Sequence, residues 1–170
     1  MFSIGDYVIK VNTGVCVVDA ICEMDLLKNG EPRTYYTLIP LHNSKSRVYV
    51  PVDSDKLNMR SILSENEAWV LIRQIPDIEE AWIPNDKLRE QEYKDAIRSN
   101  DPRRLVSIIK NMYLRGKERV EQGKKITAID ERYFKMSEET LYSELAAAIG
   151  RDVSEIANLI ARNIGGPDGE

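Results

Sequence analysis

Two hydrophobic periods follow one another along the chain. Between Tyr7 and Val52, apolar residues sit in short β-branched runs that alternate with polar ones, as strands do. From Ser64 onward, apolar residues recur every three or four positions, as on amphipathic helices. The first part predicts a hairpin of Tyr7-Val-Ile-Lys-Val11 and Val15-Cys-Val-Val-Asp-Ala-Ile-Cys22, turning at Asn12-Thr13-Gly14. Lys28-Asn29-Gly30-Glu31 carries an Asn-Gly tight-turn signal. A third strand follows at Tyr35-Tyr-Thr-Leu-Ile-Pro-Leu41, a polar turn at His42-Asn-Ser-Lys-Ser46, and a fourth strand at Arg47-Val-Tyr-Val-Pro-Val52. Pro40 and Pro51 cannot donate to a ladder and mark strand ends or an edge. Four to five short strands joined by tight turns make a small, strongly curved antiparallel sheet or partial barrel.

Ser64-Glu-Asn-Glu67 fits a capping box that opens a helix over 65–74, with Ala68, Leu71, Ile72 and Ile75 on one face, Trp69 joining the packing and Pro76 ending it. This helix is read as closing the first domain, which gives a β-rich domain at 1–76 and a helical one at 77–170. Asn85 or Asp86 caps a helix running to about Ser99. Asp101-Pro102 starts the next, whose apolar face is Leu105, Ile108, Ile109 and Met112, with Gly123 as its stop. Thr127 opens a third, marked by Ile126, Tyr133, Phe134, Leu141 and Leu145 and ended by Gly150. Asp152 starts the last, with Val153, Ile156, Ala157, Ile160 and Ile164, and a frayed tail follows from Gly165 to Glu170. The fold class is therefore α+β: a curved antiparallel sheet followed by a helical bundle.

Where the period changes, Ile78-Glu79-Glu80-Ala81-Trp82-Ile83-Pro84-Asn85 places a tryptophan on a connecting segment. Two readings stand side by side: the ring packs the two halves together, or it is offered to a partner. A sheet this small has no room for a deep catalytic cleft, but its edges suit docking to another protein, for instance by adding a strand. Arg47 and Tyr49 alternate with Val48 and Val50 and so share a face, either partner-facing or simply solvated.

The 42 % hydrophobic and 31 % charged content is that of an ordinary globular chain, not a disordered one. The net charge of −4 argues against unselective nucleic-acid binding. Charge is uneven, however: residues 86–125 hold twelve Lys/Arg against seven Asp/Glu, a local excess of five. Such a stretch can contact phosphate locally, or can be a solvated mixed-charge surface. Cys16 and Cys22 are too far apart along one strand to bridge and read as buried thiols in a reducing compartment. No apolar run reaches membrane length and no signal peptide opens the chain, so the reading is cytoplasmic.

One histidine, His42 in a polar turn, and two thiols cannot assemble a metal site of usual spacing. Phosphate-loop, dinucleotide and nucleophile-elbow patterns are absent. The carboxylates pick out no pair, and Glu138, Glu139 and Glu144 read as solvated helix positions. No catalyst, cofactor or small-molecule substrate is expected.

Ile4-Gly-Asp-Tyr-Val8, Gly14-Val-Cys16, Tyr35-Tyr-x-Leu-x-Pro-Leu41 and Val48-Tyr-Val-Pro-Val52 resemble, in order and spacing, the N-terminal module of the CarD/CdnL family of bacterial transcription regulators. Trp82-Ile83, Asp101-x-x-x-Leu105, Thr127-x-x-Asp130-Glu-Arg and Leu141-Tyr-Ser-Glu-Leu-Ala146 extend the likeness to about residue 150. The resemblance implies a Tudor-like N-terminal domain that docks on the RNA polymerase β subunit. It also implies a helical domain that touches promoter DNA near the upstream edge of the −10 element, where a tryptophan wedge stabilises the open complex. On this resemblance Trp82 is the wedge, and Asn85, Lys87 and Arg89 are its neighbouring phosphate contacts. Arg47, Val48, Tyr49 and Met24 are the polymerase contacts. The chain departs from many relatives in Lys10-Val-Asn-Thr-Gly14, where they carry a Tyr-Pro-x-x-Gly turn, and in Met24 and Tyr49, where some carry arginine. The alternative is a protein–protein interaction module that docks through its sheet and never meets DNA.

Overall fold

The computed structural model describes residues 1–54 and 58–164, which divide into two units, one ending at Ile62 and the other starting at Leu63. The expected tail from Gly165 to Glu170 lies outside the described residues.

The first unit is a five-stranded antiparallel sheet of order β4-β3-β2-β1-β5. Its strands are β1 (Tyr7–Lys10), β2 (Gly14–Met24), β3 (Arg33–Pro40), β4 (Val48–Pro51) and β5 (Met59–Ser61). The β1–β2 turn falls at Asn12-Thr13-Gly14 as expected, with Asn12 and Gly14 at φ of 65° and 87°, values that Asn and Gly tolerate best. Pro40 and Pro51 end β3 and β4. A register shift between Val18 and Ala20 leaves Asp19 as a bulge, which bends the sheet. One face buries Val8, Cys16, Val18, Tyr36, Leu38 and Val50. Phe2 closes this core edge-on to Tyr36, centroids 5.8 Å apart, while its backbone N–H donates to the Tyr36 hydroxyl. Burial among these apolar neighbours pushes the Cys16 thiol up to about 11, so it is an inert packing group. The Asn29-Gly30 signal belongs to a longer connection: the Asp25 carboxylate accepts from the N–H groups of Asn29 and Gly30 and ties the 25–32 loop to the end of β2.

The second unit holds α1 (Glu65–Gln74), α2 (Arg89–Arg98), α3 (Pro102–Glu121), α4 (Ala128–Ile149) and α5 (Val153–Ile164). Short 3₁₀ turns lie at Ile75–Asp77 and Asp86–Leu88. The caps are those anticipated. Asp101 accepts from the N–H of Arg103 and Arg104 ahead of Pro102, Thr127 accepts from that of Asp130, and Gly150 takes φ 72°. Asn85 caps the 3₁₀ turn, from which α2 continues.

The boundary differs from the expected 76/77. Ala68, Leu71 and Ile72 of α1 are buried in one cluster with Tyr93, Leu105, Ile109, Leu141, Leu145, Ile156 and Ile160. The face of α1 thus matches the helical core, and the helix belongs to the second unit. Glu144 is the anchor: it is fully buried and its carboxylate accepts from the Leu63 backbone N–H at 3.0 Å, at the entry to α1. The solvated reading of Glu144 is therefore corrected, since periodicity marks an apolar stripe but not a buried partner beside it. Glu138 is also no free surface acid: it accepts from the Tyr142 hydroxyl at 2.9 Å, and burial pushes its carboxyl up. Glu139 is exposed.

The capping box at α1 is complete. Glu67 N–H donates to Ser64 Oγ at 3.3 Å, and Ser64 N–H donates to the Glu67 carboxylate at 2.8 Å. Ser64→Ala is expected to lower stability by about 1 kcal/mol in urea denaturation, with the helix content at 20 °C unchanged to circular dichroism.

Candidate functional site

Between the two 3₁₀ turns, residues 78–85 run extended across α3. Extended backbone alternates its side chains, and here Ala81 and Ile83 pack against the helical core while Trp82 turns away. Its indole is 83 % exposed, the most open aromatic side chain among the described residues.

The segment is lashed to one side of α3. Ser107 Oγ donates to Glu79 O at 2.8 Å, and Lys110 Nζ donates to Pro76 O at 3.1 Å and Ile78 O at 2.6 Å. Ala81 is bound at both of its backbone polar groups: its N–H donates to Ser107 O at 3.0 Å, and Asn111 Nδ2 donates to its carbonyl at 2.9 Å. Ser107, Lys110 and Asn111 are spaced i, i+3, i+4 and so share one helix face. Lys110 and Asn111 are buried under the segment. Desolvation draws the Lys110 ammonium below its usual range, against the opposing pull of Asp77 and Glu80.

Beyond Trp82 the three other expected DNA contacts part company. Asn85 and Lys87 are exposed, with Asn85 Oδ1 accepting from the Lys87 N–H as the cap of the turn. The Lys87 ammonium is at the surface next to the indole segment. Arg89 is not available in the same way. Its side chain is 13 % exposed and donates to Asp86 at 2.9 Å, Tyr93 at 3.0 Å and Asn111 at 2.9 Å. It fastens the start of α2 to α3 through these bonds.

The same network extends inward. Tyr93 Oη donates to Asp130 Oδ1 at 2.6 Å, and Arg115 Nε donates to Asp130 Oδ2 at 3.0 Å. Arg115 also reaches Asp86 at 3.1 Å and 3.3 Å. Burial pushes the Asp130 carboxyl up, but the hydrogen bonds from Tyr93, Thr127 and Arg115 outweigh it and hold it below the usual value. Burial and the adjacent Asp130 carry the Tyr93 hydroxyl up to about 12, so it stays a donor throughout the physiological range. The local basic excess is thus partly internal: Arg89, Lys110 and Arg115 are consumed in the fold. Lys87, Arg98, Arg104, Lys117, Lys124 and Lys125 remain exposed.

In the first unit, Val48 and Tyr49 lie on edge strand β4 with Arg47 immediately before it, Tyr49 exposed and Val48 half-buried against the sheet core. Arg47 leans on Asp19 at 3.9 Å and donates to Ser44 O and Ser46 O. Met24 is not part of this patch. It pairs with Arg33, whereas Val48 pairs with Leu38. Five residues along β3 correspond to ~16 Å, so Met24 lies at the opposite end of the sheet, two strands in.

Ser107, Lys110 and Asn111 were not singled out from the sequence. Their one signal is a Lys-Asn pair directly between Ile109 and Met112, which ordinary helix reading assigns to the solvated side. Among the described residues no group of His, Cys, Asp and Glu side chains is placed to hold a metal ion, and no helix is long and apolar enough to cross a membrane.

Residues 2–63 match the family model of the CarD-like/TRCF RID domain. This is an RNA polymerase-interacting domain of transcription proteins, a protein-interaction domain and not a catalytic one. No curated protein matches the chain.

Proposed function

With residues 2–63 a CarD-like/TRCF RID domain, we propose that the chain is a CarD/CdnL-type regulator. It docks on the RNA polymerase β subunit in the bacterial cytoplasm and stabilises the promoter open complex through Trp82. The observation that carries this reading is the indole itself, on a residue 83 % exposed in a segment bonded at three of its own carbonyls and at that of Pro76 just before it. A large apolar ring fixed in the open, with its neighbours on both sides packed inward, suits insertion against an unstacked base step. Lys87 supplies a nearby phosphate contact, and Asn85 shapes the turn that carries it. Docking through the sheet raises the local concentration of this small surface at the promoter, so weak intrinsic DNA affinity suffices in a net-acidic protein.

On this reading the docking patch is the β4 edge. The Arg47→Glu, Tyr49→Ala double variant is expected to weaken binding to bacterial RNA polymerase by about 10-fold or more, the loss typical of an aromatic interface anchor. Met24→Ala leaves binding unchanged, because Met24 lies away from that edge. Equal loss in both variants, measured by surface plasmon resonance, would shift the patch across the sheet.

One observation favours the competing reading of a docking module without DNA contact: Arg89, Lys110 and Arg115 are committed inside the fold. The deciding measurement is open-complex lifetime with and without the protein. Charge reversal at Lys87 shortens it in the first reading and leaves it untouched in the second.

A further inference from the structure

The polar clamp on the indole segment has a role of its own, and this inference rests on the reading of Trp82 as the DNA-facing group. We propose that Asn111 and Lys110 are positioning residues for Trp82: the face of α3 that carries Ser107, Lys110 and Asn111 holds the segment 76–83 as a rigid strap, so the indole meets DNA already ordered.

Three observations bear on it. First, the bonds converge on the residue before the tryptophan. Ala81 is held at its N–H by Ser107 O and at its carbonyl by Asn111 Nδ2, so each of the two peptide planes that flank it carries a bond, and the one leading into Trp82 cannot rotate without breaking the bond to Asn111. Second, Lys110 is 8 % exposed and spends its ammonium on two backbone carbonyls of the strap, Pro76 O and Ile78 O. A buried cation is unfavourable unless its bonds are made, and an apolar side chain of the same length would fill the space without that requirement. The pair of bonds gives directional restraint that packing alone lacks. Third, Asn111 is itself fixed, because its Oδ1 accepts from Arg89 at 2.9 Å. The amide is thereby oriented with its N–H₂ toward Ala81 O, and the restraint runs from α2 through α3 to the strap.

Restraint matters to a wedge. A side chain inserted between bases loses its freedom on binding, and a backbone already ordered has less to lose. Pro84 acts in the same sense from the other side by restricting Ile83 to extended backbone.

The test uses the full chain carrying Trp69→Phe, which leaves Trp82 as the only indole. Time-resolved fluorescence anisotropy of Trp82 is recorded in the free protein, and open-complex lifetime is measured with bacterial RNA polymerase. Two variants are compared. Lys110→Met removes the ammonium and keeps the stem. Asn111→Asp is nearly isosteric: it still accepts from Arg89 but no longer donates to Ala81 O, so it isolates the strap bond from the α2 contact. In both, circular dichroism and urea unfolding report whether the bundle is intact, and Asn111→Asp carries the test should Lys110→Met fail to fold.

Faster nanosecond depolarisation of Trp82, with a gain in lifetime reduced by roughly 3–10-fold, about the value of one ordinary hydrogen bond, supports the inference. Unchanged depolarisation in an intact variant overturns it whatever the promoter assay says. Faster depolarisation with the full lifetime gain retained also overturns it, provided Trp82→Ala abolishes that gain. If Trp82→Ala has no effect on lifetime, the wedge reading itself has failed, and faster depolarisation then supports only the structural half, that these residues order Trp82.

Discussion

Trp82→Ala is expected to leave stability within ~0.5 kcal/mol of the parent and to remove most of the gain in open-complex lifetime. Both halves follow from the same exposure. The ring is 83 % open, so its loss uncovers no core and creates no cavity. The strap stays in place because its restraints are backbone bonds to Ser107, Lys110 and Asn111, none of which involves the indole. An aromatic stacked on a base contributes ~1–3 kcal/mol by alanine substitution. If all of it acts on the collapse of the bubble, the lifetime shortens on the order of 5- to 100-fold. Trp82→Phe, which keeps a smaller ring on the same strap, falls between. Chase experiments with a heparin competitor on a preformed promoter complex measure this directly. Full lifetime in Trp82→Ala, at saturating occupancy of the polymerase, would place the DNA contact elsewhere on the helical unit.

Much of the fold was legible because it is local. Strand and helix limits follow from period, and the ends of α1, α3 and α4 follow from Ser64, Asp101-Pro102, Thr127 and Gly150, whose chemistry acts within four residues. What escaped is long-range. Whether α1 joins the sheet or the bundle depends on Leu63 meeting Glu144, 81 positions away. An amphipathic face tells a helix to be buried but not against what. The same limit explains the site. Trp82 stands out by type and by place at the period change, and Lys87 by charge. Arg89 has the same charge, yet its partners Tyr93, Asn111 and Asp86 decide that it turns inward. On α3, Lys110 and Asn111 look like the wet side of a helix. They are buried because an extended segment about 30 residues earlier in the chain lies over them, and no period in either segment records the other. Counting charge along 86–125 overstated the accessible patch for this reason: a local sum does not separate a guanidinium facing phosphate from one paired with Asp130.

Asp130→Ala is expected to cost far more stability than Ser64→Ala or Trp82→Ala, about 3 kcal/mol. Asp130 is 3 % exposed and accepts at one oxygen from Tyr93 and at the other from Arg115. It therefore ties α4 to both α2 and α3. Its removal strands the Arg115 guanidinium and the Tyr93 hydroxyl together, and breaking a buried pair in this way typically costs 3–5 kcal/mol because the remaining charge is uncompensated. The lower end applies, since Arg115 keeps its contacts to Asp86 at the surface. For a helical unit of this size the melting temperature falls on the order of 10–15 °C. Arg115→Met added to Asp130→Ala should recover part of the loss, because the orphaned cation is gone; strict additivity of the two single losses would contradict the buried-pair account. The pH dependence has a definite sign. Asp130 titrates below its ordinary 3.8 in the fold, so it binds its proton more readily when unfolded. Its contribution is complete above about pH 5 and is lost as the pH falls through the folded value. Urea midpoints of the parent should drop through this acid range, and those of Asp130→Ala should drop less. Because the same cluster runs through Tyr93 and Arg89 to Asn111, loosening it reaches the strap as well, and Asp130→Ala should shorten open-complex lifetime without touching any DNA-facing group. Trp82 anisotropy in Asp130→Ala, recorded well below its melting temperature, checks that step: an unchanged decay would confine Asp130 to the stability of the bundle.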